Sequence, residues 1–123
     1  MIQKILKITN LQATNIYFYN AKMILLGKTC YSFNNNTLIL NNIFVNERYR
    51  NQYIGSSILK HTEHDIITKN NHVNQINLLA YDNHYGGVAR FFQKNGYIIN
   101  CSNNSFDNGL DIYNLVNMSK KFF

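Results

Sequence analysis

The sequence predicts a mixed α/β fold: an antiparallel strand meander, then a helix, a strand, a second helix and a closing strand pair. Three observations predict it. Runs rich in Ile, Leu, Tyr and Phe dominate the chain up to Val45, the apolar period turns helical at Ile54, and a continuous apolar stretch, QINLLAYD, follows that helix. A strand, a crossover helix and a second strand make a parallel pair in an otherwise antiparallel sheet, with the helices flanking it.

Taken in order, NIYFY, KMILLGKTCYSF and TLILNNIFV read as strands. Asn34 to Asn36 separate the last two, and asparagine tolerates the left-handed backbone that a tight hairpin turn needs. Ile54, Ile58, Leu59, Thr62 and Ile66 recur at helical spacing, which leaves Lys60, His61, Glu63 and His64 for a solvated face. The polar stretch TKNNH ends this helix. QINLLAYD lacks strict alternation, as a largely buried strand does. VARFFQKN then reads as a short helix stopped by Gly96 in the left-handed C-terminal position. YIINCS and LDIYNLVNM close the chain as strands on either side of a polar loop, NNSFDNG.

A chain of 123 residues suffices for one domain with a modest core, and no linker or repeat divides it. No apolar run reaches bilayer-spanning length, and MIQKILKITNLQ lacks the apolar core and cleavage site of a secretory signal. Cytoplasmic residence without a membrane partner is therefore expected. Twelve Lys and Arg against six Asp and Glu give a formal charge of +6. The basic residues are scattered rather than blocked, so a dedicated nucleic-acid surface is not expected, whereas attraction to acidic partners or to a polyanionic cofactor is. The abundance of Asn, Ile, Lys, Tyr and Phe is the bias of an AT-rich genome. Cys30 and Cys101 form no Cys-x-x-Cys pair and read as structural thiols.

The stretch VNERYRNQYIGSSIL, Val45 to Leu59, carries the chemistry. A polyphosphate needs backbone N–H donors pointing one way, the positive end of a helix, and small side chains that permit close approach. Arg50, Asn51, Gln52, Tyr53, Ile54, Gly55, Ser56 and Ser57 occupy such a strand-to-helix turn, where the first helical turn leaves amides without intrahelical acceptors. The plain alternative is an ordinary turn with capping serines.

The run NNIFVNERYRNQYIGSSILKHTEHD resembles the cofactor-binding segment of the GCN5-related N-acetyltransferase (GNAT) superfamily. Its pattern is Arg/Gln-x-x-Gly-x-Gly/Ala between an apolar strand and a helix. Arg50 and Gly55 match the ends and Ile54 the apolar position; Tyr53 stands where the first glycine is usual. LLAYDNHYGGVARFFQKNGY resembles the family's later block, and the two blocks together span Leu38 to Tyr97. The resemblance implies a GNAT-like mixed sheet that splays open between its parallel strands, with acetyl-CoA as cosubstrate. It implies a pantetheine arm along the backbone of Ile43, Phe44 and Val45, and a pyrophosphate on the amides of Gln52 to Ser57. It further implies an N–H close to Val45 that polarises the thioester carbonyl, and direct attack by an amine with no metal and no covalent enzyme intermediate.

The proton-handling positions depart from the family pattern. Its frequent thiolate-protonating tyrosine falls on Phe92, and its frequent asparagine on Tyr85, or on Asn83 if the loop carries an insertion. The strand positions that often hold a basic glutamate, Ile39 to Asn41 and Leu78 to Ala80, hold no carboxylate. Tyr85, Tyr81, His84, Asp82 and Glu47 are the groups left nearby, and Tyr85 is the one assigned as acid. Two other motifs are set aside. Gly27-Lys28-Thr29 ends like a phosphate-binding loop, yet the required earlier glycine falls on Lys22. His61 and His64 share a helix face without companion ligands for zinc.

The resemblance implies acetyl transfer to an amine. The segment before Lys22 is too brief for the helices that many family members insert between their first strands. The acceptor groove is then open, completed by a second copy in a homodimer, or built for a large substrate such as a protein lysine or N-terminus. Small phage anti-CRISPR acetyltransferases are similar in this reduced plan, including the strand TCYSF. The alternative function is a non-catalytic GNAT-like module that binds CoA or a protein, having lost its proton-transfer groups.

Overall fold

In the computed structural model, which describes residues 1–50, 53–82, 87–107 and 112–122 (side chains of 82, 101–107 and 112–114 excepted), the first part of the chain forms four antiparallel strands. These are β1 (Lys4–Thr9), β2 (Thr14–Tyr19), β3 (Leu25–Asn34) and β4 (Thr37–Val45), each paired with the next. With a 3₁₀ turn at Glu47–Tyr49 and helix α1 (Ile54–Lys69) they form one unit, Met1–Asn74. The second unit, Gln75–Phe123, holds β5 (Gln75–Asp82), helix α2 (Gly87–Lys94), β6 (Ile98–Asp107) and β7 (Ile112–Lys121). β7 pairs antiparallel with both β5 and β6. Among the described residues no helix is long and apolar enough to cross a membrane.

Three boundaries differ from the sequence expectation. β1 is an additional strand: KILKIT carries a lysine on each face, which hides its alternation, and all six residues are exposed. Lys22 to Ile24 form a turn instead of opening the next strand. The Asn20 side-chain carbonyl accepts from the N–H groups of Lys22 (2.9 Å) and Ile24 (3.0 Å), and Met23 takes a left-handed φ of 62°. Asn103 to Asp107, expected as a polar loop, continue β6 and pair with β7 as far as Asp107 opposite Ile112. Pairing from Asn104 to Asp107, resumed after register shifts between Ile99 and Cys101 and between Cys101 and Asn104, outweighs the poor strand propensity of Asn and Ser.

The β3–β4 hairpin closes through Asn35 (φ 51°) and Asn36 (φ 71°), the double left-handed pair of a type I′ turn. α1 lays Ile54, Ile58, Leu59, Thr62 and Ile66 into the core, as its spacing predicts. Glu63 corrects that reading: it is 5% exposed and does not lie on a solvated face. It follows Leu59 by four residues and precedes Ile66 by three, which places it at the edge of the same stripe. The Thr62 hydroxyl donates to the Ile58 carbonyl (2.8 Å) and lies 2.9 Å from the Thr29 hydroxyl, a buried link from α1 to β3. In the second unit, α2 ends in a Schellman motif. Tyr97 N–H donates to Phe92 C=O, Gly96 N–H to Gln93 C=O, Gly96 takes φ 94°, and the rings of Phe92 and Tyr97 meet edge-on at 5.5 Å.

Tyr31, buried on β3, donates to the Asp65 carboxylate of α1 (3.0 Å), which also pairs with Lys7 (3.0 Å). Burial, then the Asp65 charge and hydrogen bond, push the Tyr31 phenol from 10.0 up to about 12. The folded chain thus holds a proton that the unfolded chain releases near pH 10, so this contribution is complete below pH 10 and is lost as pH rises through 12. Denaturant titrations should show stability falling across that window by about 2 kcal/mol more than in Tyr31→Phe. Parallel curves for the two proteins would contradict the coupling.

Candidate functional site

The candidate site is built where β4 hands over to α1. β4 carries one extra residue: Cys30 opposes Asn42 while Tyr31 opposes Leu40, which leaves Asn41 as a bulge. Such an insertion bends a strand and raises its twist. The Asn41 amide donates to the Ser32 hydroxyl at 2.9 Å. Beyond the bulge, Asn46 N–H bonds to Leu26 C=O (2.7 Å) and Val45 lies opposite Gly27. Antiparallel ladders alternate, so Phe44 directs its N–H and C=O to β3, while Ile43 and Val45 direct theirs away from it. Of the three residues expected to offer backbone, Ile43 and Val45 therefore share one outward edge, and Phe44 contributes a side chain 42% exposed.

Asn46 is the residue that sequence reasoning missed. Its side-chain carbonyl accepts from Arg48 N–H (3.1 Å), capping the 3₁₀ turn, and its amide donates to Leu25 C=O (2.8 Å). An asparagine followed by an acidic residue at a helix start is the signal that was present for it. The turn returns Arg50 to the strand end, where its Nε donates to Val45 C=O at 3.2 Å. Among the described residues this leaves the terminal guanidinium nitrogens for another acceptor.

Tyr53 caps α1 with φ 61° and ψ 11° and makes no side-chain cap bond. The departure from the glycine pattern thus falls on a residue forced into the left-handed region, with its ring 88% exposed. Tyr53→Gly should raise stability by about 0.5–1 kcal/mol, the relief of strain exceeding the extra freedom of the unfolded chain. A lower midpoint in urea would contradict this.

Ile54 is buried (2% exposed), so its side chain is not available to a ligand. Gly55, Ser56 and Ser57 complete the first turn and are half-buried. Ser57 N–H bonds to Tyr53 C=O (3.1 Å), so the amides of Ile54 and Gly55 precede the helical ladder. The first turn holds no acidic residue, and Lys69 sits in the last. The positive end of a sixteen-residue helix is presented without a side-chain anion of its own. That donor set fits a phosphate-bearing ligand.

Asn51, Gln52, Asn83, His84 and Tyr85 lie outside the described residues. Phe92 is a core residue, 5% exposed and edge-on to Phe91 and Tyr97. Tyr81 is 55% exposed on β5 and Glu47 is exposed on the 3₁₀ turn. No cluster of three or more metal-ligating side chains occurs among the described residues.

The sequence profile of the acetyltransferase (GNAT) domain matches residues 12–99. No curated protein sequence matches the chain. Among solved structures, a GNAT family acetyltransferase from Elizabethkingia anophelis with acetyl-CoA bound is similar at a TM-score of 0.71 and 17% identity, over 89% of this chain and 76% of that one. The ribosomal-protein-S18-alanine N-acetyltransferase from Escherichia coli gives 0.75 and 13%, over 93% and 72%. An aminoglycoside 6'-N-acetyltransferase complexed with coenzyme A gives 0.75 and 17%, over 93% and 75%. These likenesses show a shared α/β fold, and the profile covers well over half of the sequence. The chain belongs to the GNAT acetyltransferase domain family.

Proposed function

We propose that the protein is an N-acetyltransferase that moves an acetyl group from acetyl-CoA to an amine on another protein, a lysine or an N-terminus, in the cytoplasm. The observation that carries this reading is the acid-free N-terminus of α1 beside Arg50, within the segment that the family profile matches. The neighbours solved with acetyl-CoA or CoA support the choice of cosubstrate. Acetyl-CoA supplies the acyl group already activated as a thioester.

In this reading the amides from Gln52 to Gly55 hold the pyrophosphate, the Ser57 N–H being taken by Tyr53 C=O, with Arg50 and Asn51 beside it and Asn83 as a further contact. Ile43 and Val45 offer the pantetheine arm one backbone edge. Val45 C=O is already taken by Arg50, which leaves the Val45 N–H as donor to the thioester carbonyl. Tyr85 returns a proton to the leaving thiolate. The amine, entering neutral, attacks the acetyl carbon as the C–S bond breaks, and the proton that its nitrogen then sheds restores the Tyr85 phenolate, directly or through water.

The burial of Phe92, at the position where a proton donor is frequent, favours a second reading as a CoA-binding module without catalysis. Calorimetry with CoA, together with intact mass of candidate acceptor proteins after incubation with acetyl-CoA, separates the two. Binding with an acetyl-sized mass gain supports the transferase; binding with none across acceptors supports the module; no binding overturns both.

A further inference from the structure

We propose that the cleft between the β2–β3 turn and the 3₁₀ turn docks carboxylate side chains of the protein that bears the acceptor amine, an inference that rests on the acyl-transfer reading. The cleft has a volume of about 500 Å³. Lys22 and Arg48 line it, with Gln3, Asn20, Ile24 and Tyr49, and no carboxylate is among its lining residues. Both cations are exposed, and the ion pair found among the described residues, Lys7 with Asp65, involves neither. The cleft therefore holds two side-chain cations and no side-chain anion among its lining residues.

The two cations are positioned in the same way. Asn20 Oδ1 accepts from Lys22 N–H at 2.9 Å, and Asn46 Oδ1 accepts from Arg48 N–H at 3.1 Å. Asn46 is in turn tied to Leu25 C=O. The backbone beneath each charge is fixed before a ligand arrives, which lowers the ordering cost of binding. Arg48 also lies two residues from Arg50, so the cleft adjoins the proposed phosphate turn within one unit.

The charge distribution selects the partner. Met1–Asn74 carries eight Lys and Arg against three Asp and Glu, a net +5 of the chain's +6. Of those three acids, Asp65 is paired with Lys7 and Glu63 is buried, leaving Glu47 exposed. A polycationic small amine would be repelled here. A nucleic acid repeats its phosphates and needs a track of cations, whereas these two converge on one cleft beside Ile24 and the Tyr49 ring. An acidic peptide segment with apolar neighbours matches that pattern. Exposed charges act on encounter and hold, so their removal should raise KM and leave kcat.

The test uses fluorescently labelled peptides with one lysine flanked by Asp, by Asn or by Arg, titrated into the full chain and followed by anisotropy. The wild type should bind the Asp peptide about tenfold more tightly than the Asn peptide, with the difference shrinking in salt. The double variant Lys22→Glu/Arg48→Glu should lose that preference and favour the Arg peptide, while circular dichroism stays as in wild type and CoA still binds. Equal binding of Asp and Asn peptides by the wild type would overturn the inference, as would a preference that survives the charge reversal. A single-stranded oligonucleotide that binds more tightly than the Asp peptide and is lost in the variant would also overturn it. CoA calorimetry on the wild type reads the acyl-transfer proposal separately, so a failure there is distinguishable from a failure of the cleft.

Discussion

Gly55→Glu is expected to abolish CoA binding and to leave the protein folded. Gly55 is the second residue of α1, ahead of the first helical N–H to C=O bond. A side chain there enters the space in front of the amides, and a carboxylate satisfies the positive helix end that the pyrophosphate would otherwise occupy. The same charge is favourable to the helix by about 0.3–1 kcal/mol, and glycine is a poor helix former, so the fold gains rather than suffers. Calorimetry should show affinity for CoA reduced by about 100-fold or more, with thermal unfolding unchanged or slightly raised. Wild-type affinity in this variant would remove the ligand from the α1 terminus.

Gly27→Ala has the largest expected effect on stability. Gly27 lies on β3 opposite Val45, and a Cβ built on it would stand 2.2 Å from the Phe44 carbonyl oxygen and 2.6 Å from Ile58 Cδ1. The nearer obstacle is the backbone of a paired strand, which cannot rotate away as a side chain could. Either the β3–β4 pair or α1 must move, at a cost of about 3 kcal/mol. For a chain of this size that lowers Tm by about 10 °C, readable by circular dichroism. Because Phe44 and Ile58 flank the strand end and the helix that form the candidate site, CoA affinity should fall with it. An unchanged Tm would show that the close approach of α1 to β3 is misplaced.

Local chemistry made much of the fold legible. The helical stripe from Ile54 to Ile66 is buried residue for residue, the asparagines between β3 and β4 adopt the left-handed turn, and Gly96 ends α2 as a left-handed residue. What the sequence concealed depends on neighbours. β1 carries Lys4 and Lys7 on opposite faces, and its pairing with β2 defines it as a strand. Asn104 and Ser105 are weak strand formers held by the β7 ladder. The bulge at Asn41 exists only in the register of β4 against β3. Within the candidate site, Arg50 and the α1 terminus follow from the motif, whereas the link from Arg50 to Val45 and the bracing by Asn46 come from the chain folding back on itself.

The most direct measurement is a titration of ¹⁵N-labelled protein with CoA, followed amide by amide. The expected result is saturable shifts concentrated on Arg50 to Ser57, with Ile43 and Val45 responding and the Lys69 end of α1 unmoved. Saturable binding that leaves the amides of Tyr53 to Ser57 in place would contradict the account.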